Sequence, residues 1–277
     1  MHDNFNNPKL VEINPRMSGS ISESYKKKFY LIDDLIIFKF SNQDYIIIVN
    51  ASNKKKVLDW IQLYLNNYSV TLDDLNINNS LVALQGPNSR DILSKISDQK
   101  IDAPFYHIQK LKLLNHNIIL SRTGYTGELG YEILGSHNAI NELWDYFINH
   151  SVKPTGLAVR DVLRMEMKYC LYGNDISSTT NPIDAGLSWI TKLDTEFIGS
   201  NKLNNIKNNR KLVPLILKDR AIPRSGYKIF NLEEKEIGFV TSGGISPSLN
   251  LGIALAYINL PDVEELKCFK IKIRDNF

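Results

Sequence analysis

RTGYTGELGYE, from Arg122 to Glu132, is the stretch on which the reading of this chain turns. Glycines on either side of Tyr125, at 124 and 127, permit tight turns and a close approach of a ligand to the backbone. A tyrosine presented in this way can stack on a flat heterocycle. Glu132 lies seven residues further on, in GYEI, which reads as a short strand. A glutamate there can accept two hydrogen bonds from an amidinium-like edge, such as that of an amino-pyrimidine. Glu128 reads as a solvated turn residue. From the residues alone, Tyr125 is equally a loop aromatic plugging the rim of a core, and Glu132 an exposed strand residue.

Outward from this turn the pattern alternates. YHIQKLKLL and NIILSRTGYTG read as a strand pair before it, and GYEIL (130–134) as the strand after it. Further upstream, FYLIDDLIIFKF (29–40) and DYIIIVN (44–50) read as strands joined by the turn SNQ. KKKVLDWIQLYLNNY (54–68) has helical spacing in its apolar residues. LVALQGP (81–87) is a buried-type strand, and NSRDILSKI (88–96) a helix capped by Asn88 or Ser89.

Downstream, HNAINELWDYFINHS (137–151) is an amphipathic helix with Ile140, Leu143, Trp144 and Phe147 on one face. GLAVRDVLRMEMKYCLYG (156–173) is a helix running to Gly173, with Cys170 inside it as a small core residue. Strand pairs interleaved with helices predict an α+β fold of antiparallel sheets. LNNIKNNRK (203–211) reads as a linker. Beyond it come only short strands with Gly and Pro turns and no helix, the pattern of a small β-barrel. The expected division is an irregular lead-in at 1–28, an α+β domain at 29–207 and a β-barrel domain at 208–277.

Composition excludes several classes. Thirty-three basic against 30 acidic residues leave a net charge of +3, without the footprint of a nucleic-acid binder. No run approaches ~20 apolar residues, so no transmembrane helix is expected. The first residues lack both a secretion signal and a transit pattern. Two distant cysteines, Cys170 and Cys268, fit a reducing compartment. His107, His116, His137 and His150 share no ligand spacing, and neither HExxH nor a phosphate loop occurs, so no metal is expected.

Four further residues are candidates. Asp33 and Asp34 are adjacent in an apolar run, and strand alternation sends them to opposite faces. The one facing inward must be paired or hydrogen-bonded, which makes it a functional candidate. Composition alone favours a pair of turn or edge aspartates. Asn50 ends the strand IIIVN, and its amide can donate and accept. Arg160 can hold a carboxylate through two parallel bonds, or form a surface ion pair with Asp161 or Glu166.

LVALQGP (81–87), RTGYTGELGYEI (122–133), GLAVRDVLRMEMKYCLYGNDI (156–176) and EIGFVTSGGISPSLNLGIALAYI (236–258), in that order, resemble the T-protein family of the glycine cleavage system, the aminomethyltransferases. IDDLIIF (32–38), IIIVNAS (46–52) and NPIDAGLSWITK (181–192) fit the same family. The resemblance implies a folate-binding α+β body closed by a C-terminal small β-barrel. It implies tetrahydrofolate in a central hole as co-substrate, and a lipoylated H-protein as partner, delivering an aminomethyl group on sulfur. The implied products are methylenetetrahydrofolate, ammonia and the reduced lipoyl arm, formed in the cytoplasm or, in a eukaryote, the mitochondrial matrix. By the same resemblance Asp34 is the catalytic aspartate that activates the folate N5. Asn50, Tyr125, Glu132 and Arg160 are folate contacts, with Glu132 reading the pterin. Trp189 matches a tryptophan near the ligand hole, with a core role equally open.

Some features depart from the family. Nothing in residues 1–28 resembles its FxGW and FDVSHM segments, Phe29 and Tyr30 stand where two glycines are usual, and Phe38 replaces a common tyrosine. The chain also stops at Phe277, short of the family's last strand. The expectation is that residues 1–28 substitute in part, that another chain completes the body, or that the protein is unstable or inactive. Two alternatives to catalysis of this reaction follow: an impaired folate-binding remnant or regulator, and a folate-dependent demethylase of the same fold. The related iron–sulfur assembly factors carry a cysteine in a KGCYxGQE motif that RTGYTGE lacks.

Overall fold

A computed structural model describes residues 31–205, 207–265 and 268–273. The expected lead-in at 1–28, with Phe29 and Tyr30, lies outside the described residues. Contacts group the chain into two units. The first takes Ile36–Ile48 and Trp60–Arg160; the second takes 31–35, Val49–Asp59 and the chain from Asp161 onward.

In the first unit β1 (Ile36–Lys39) and β2 (Tyr45–Ile48) form an antiparallel pair, with Phe38 opposite Ile46. The strand expected from residue 29 is therefore shorter: 31–35 is not in strand, and the alternation argument does not apply to Asp33 and Asp34. α1 (Lys54–Leu65) crosses from the second unit into the first. β3 (Asn79–Gln85), α2 (Ser89–Ser94), β4 (Ile108–Leu113), β5 (His116–Ser121) and β6 (Gly130–Ser136) follow. The four strands make an antiparallel sheet in the order β3-β6-β5-β4. β4 and β5 are joined by Leu114 and Asn115, both at positive φ (48° and 68°), the two-residue turn that matches strand twist.

α3 (His137–Asn149) is capped by Ser136, whose Oγ accepts from the Ala139 amide at 3.2 Å. It buries Ala139, Ile140, Leu143 and Phe147 against Leu111, Leu120, Tyr131 and Ile133 of the sheet side. Trp144, expected on that face, is 47% exposed. The reason is angular. Residues 139, 140, 143 and 147 already fill the ~100° stripe, and position 144 falls on its flank.

α4 (Leu157–Glu166) ends seven residues before Gly173. Lys168 takes a positive φ of 59°, and the Tyr169 amide returns to the Arg164 carbonyl at 2.8 Å, closing the helix. Cys170 is thus a core residue in a loop rather than in a helix. It packs with Leu31, Ile176, Leu212 and Leu255 in the second unit.

The second unit continues with α5 (Ser200–Leu203), β7 (Arg210–Ile216), β8 (Lys228–Phe230), β9 (Glu236–Ser246), β10 (Leu251–Asn259), α6 (Leu260–Glu265) and β11 (Lys270–Ile271). Its sheet is antiparallel, ordered β11-β8-β9-β10-β7, over a core of Ile229, Ile237, Val240, Ala254 and Ile258. The helix α6 was not expected. Pro261 at its second position has its φ preset for a first turn, and Asp262 favours the positive helix end.

A buried polar network fixes α4 to this sheet. Arg164 is fully buried and pairs with Asp175 at 2.5 Å and with Asp161 at 2.7 Å. It also donates to the Tyr169 carbonyl at 3.0 Å and to Ser242 Oγ at 2.8 Å. Asp175 accepts in addition from Ser242, Thr241 and the Leu171 amide. A buried charge is tolerated only when satisfied in this way.

Candidate functional site

In the second unit the carboxylates of Asp33 and Asp34 divide as buried and exposed. Asp33 accepts three hydrogen bonds: from the Asn50 amide nitrogen at 2.9 Å, from Asn50 Nδ2 at 2.9 Å and from Asn53 Nδ2 at 2.6 Å. Asn50 precedes a single 3-10 turn, Ala51–Asn53, in extended conformation, which places its side chain beside Asn53 on the 31–34 segment. Asn50 Nδ2 also donates to Asp34 Oδ1 at 2.7 Å and to its carbonyl at 3.1 Å. Its amide hydrogens are therefore engaged by two aspartates, where the sequence suggested that they face a ring.

Tyr172, from the LYGNDI segment, stands behind this pair. Its hydroxyl donates to the Leu31 carbonyl at 2.7 Å and accepts from Lys56 Nζ. The ammonium also lies 4.5 Å from the ring centroid. Burial first, then the anions Asp33 and Asp34, push the Tyr172 phenol up to about 12, so it remains a proton donor. Partial burial lowers the Lys56 pKa, opposed by the charge of Asp33. An exposed carboxylate oriented from behind, as Asp34 is, can take a hydrogen bond or a proton from an amine brought to it.

In the first unit β6 presents Glu132, half-buried, with the Thr123 hydroxyl donating to its Oε2. Ser121 Oγ pairs with Thr123 at 2.8 Å and reaches the Glu132 carbonyl at 3.3 Å. Gln85, at the end of β3, donates to the carbonyls of Thr123 and Tyr131, both at 3.2 Å, and so pins the turn over the sheet. This explains two glycines: a Cβ at Gly124 or Gly130 would fall 1.9 Å or 2.0 Å from Gln85 Oε1. The Arg160 guanidinium lies over the Tyr125 ring, 4.4 Å from its centroid. Asp161 pairs with Arg164, and Glu166 accepts from Ser246 and Ser248, so neither has the ion pair with Arg160 considered from sequence. Glu128 is exposed.

Trp189 is 60% exposed, which overturns a core role for it. Asn53, Lys56, Tyr172, Thr123 and Gln85 were missed. For Tyr172 a signal existed, since it lies in the LYGNDI segment already singled out. Cys170 is pushed up to about 12, by burial first and then by Asp175 and Asp34, and is no nucleophile at neutral pH. Among the described residues no group of three or more His, Cys, Asp or Glu is placed to hold a metal ion, and no helix is long and apolar enough to cross a membrane.

Residues 25–195 match the GCVT N-terminal domain, and residues 210–276 the glycine cleavage T-protein C-terminal barrel domain. An aminomethyltransferase of Flavobacterium psychrophilum is 40% identical over 237 residues, 82% of this chain and 66% of that protein. One from Halothermothrix orenii is 40% identical over 254 residues, 88% of this chain and 71% of that protein. The crystal structure of the glycine cleavage system aminomethyltransferase T from Bartonella henselae matches with a TM-score of 0.78 at 28% identity, covering 96% of this chain and 73% of that one. The chain spans about two thirds of the length of the curated relatives it matches. Both halves of the α+β chain, with the IDD segment and the RTGYTGELGYE turn inside the first matched domain, place it in the glycine cleavage T-protein family.

Proposed function

We propose that this chain is a tetrahydrofolate-dependent aminomethyltransferase. In this reading the aminomethyl group arrives on the lipoyl sulfur of H-protein. Its carbon bonds to the two folate nitrogens N5 and N10, which lose one proton each. One proton goes to the released lipoyl sulfur and the other to the departing amine, giving methylenetetrahydrofolate, ammonia and a free thiol. The observation that carries the reading is Asp34, an exposed carboxylate gripped at 2.7 Å by the Asn50 amide. Held so, it can orient and deprotonate the N5 amine as that nitrogen attacks.

The other roles follow from side-chain chemistry. Glu132, backed by Thr123, accepts the amino-pyrimidine edge of the pterin. Tyr125 and Arg160, already stacked, offer a flat face and a cation to the folate. Asn50 contributes by holding Asp34, and Trp189 by an exposed ring. The donor set is all oxygen, nitrogen and aromatic carbon, which suits a folate and asks for no metal. The reaction belongs with the other glycine-cleavage proteins, in the cytoplasm.

The test is turnover. Purified chain, loaded H-protein and tetrahydrofolate should yield ammonia and methylenetetrahydrofolate in equal amounts, and Asp34→Asn should lower the rate by on the order of 10²-fold or more. Absence of both products, or an Asp34→Asn variant as fast as wild type, would sink the reading.

A further inference from the structure

Asp33 takes no part in the chemistry just described, yet it accepts three hydrogen bonds while its exposed neighbour is the proposed reacting group. Asn50 Nδ2 has two hydrogens and three acceptors within 3.1 Å: Asp33 Oδ1, Asp34 Oδ1 and the Asp34 carbonyl. One hydrogen serves Asp33 and the other is shared by the two oxygens of Asp34. That sharing requires the amide plane to be fixed. Asp33 fixes it at two points, the Asn50 backbone N–H and the side-chain N–H, and is itself held from the buried side by Asn53.

We propose that Asp33 is a positioning residue, holding the Asn50 amide so that this amide sets the orientation of Asp34. The inference rests on the aminomethyl-transfer reading above. All three groups bonded to Asp33 are donors, so only an acceptor with both oxygens available satisfies them. An amide at position 33 would turn an NH2 toward at least one N–H and rotate Asn50 away from Asp34. The surroundings hold the segment: Tyr172 ties down the Leu31 carbonyl two residues before Asp33, and Lys56 of α1 donates to the Tyr172 hydroxyl. A rival account makes Asp33 a brace that only holds the 49–53 segment to 31–34.

Single-turnover product formation from loaded H-protein and tetrahydrofolate separates the two, with Asp33→Asn as the first variant. The expected rate loss is on the order of 10²-fold, while the calorimetric Kd for tetrahydrofolate stays within about threefold. In an Asp34→Asn background the added Asp33→Asn change should lower the rate by less than about twofold, because a residue acting through Asp34 has nothing left to act through. Equal losses in both backgrounds, or a full rate for Asp33→Asn alone, overturn the inference. Should Asp33→Asn not fold by circular dichroism, Asn53→Ala replaces it, with an expected loss of about tenfold that likewise vanishes in the Asp34→Asn background. If wild-type protein forms no product, or Asp34→Asn matches it, the transfer reading fails and takes this inference with it. If Asp34→Asn is slowed and Asp33→Asn keeps the wild-type rate, only the role of Asp33 is lost.

Discussion

The guanidinium of Arg164 meets the carboxylate of Asp175 at 2.5 Å with neither side chain exposed. Removing one partner strands the other without water. Arg164→Met should destabilise the chain by about 3–5 kcal/mol, read as a lower urea midpoint at an unchanged m-value. A loss below about 1 kcal/mol would mean that the buried pair contributes nothing net.

Arg160 is exposed and stacks on Tyr125. An exposed cation–π contact contributes only about 0.5–1 kcal/mol. Arg160→Ala should therefore leave the unfolding free energy within about 1 kcal/mol of wild type. Its Kd for tetrahydrofolate should nevertheless rise by about tenfold or more. Parallel losses in stability and binding would show Arg160 to be structural.

Gly130→Ala brings a methyl group onto Gln85 Oε1, and Gln85 must leave the two carbonyls it serves. The expected destabilisation is about 1–3 kcal/mol. Adding Gln85→Ala removes the clash, so the double variant should lose less than the sum of the two single changes. Strict additivity in that cycle would contradict the contact.

Cys170 and Tyr172 both have folded pKa values raised to about 12, above 9.0 and 10.0 for the free groups. Each is an acid kept protonated by the fold, so its contribution is fully present below the unfolded pKa. It is lost as pH rises, because the unfolded chain sheds these protons first. The urea midpoint should fall between about pH 9 and 12, and less steeply in Cys170→Ala. A thiol reagent at neutral pH should label exposed Cys268 and spare Cys170 until unfolding.

Legibility in the sequence followed the range of the interactions. The helices α1 and α3, the β4–β5 hairpin and the strand after the Gly-rich turn are local patterns, and their residues announce them. The end of α4 was misjudged because Lys168 closes it at positive φ, and a lysine gives no such cue. Trp144 was misassigned by its hydrophobicity, which does not report whether a stripe is already full. The Arg164–Asp175–Ser242 network spans up to 78 residues of sequence and has no periodic signature. Among the candidate residues, Asp34 and Glu132 stood out only through resemblance. Asn53 was invisible because its significance lies in a partner 20 residues away.

The interleaving of the two units has a consequence for how the protein is made. Residues 31–35 and 49–59 are synthesised early, but the unit to which they belong is completed only by chain beyond 161. Leu31 and Tyr172, joined by one hydrogen bond, are 141 residues apart. At about 5–20 residues per second the carboxylates of the IDD segment would then leave the ribosome roughly 7–28 s before the tyrosine that anchors them. Through that interval the 31–35 and 49–59 segments are without the neighbours that complete their unit.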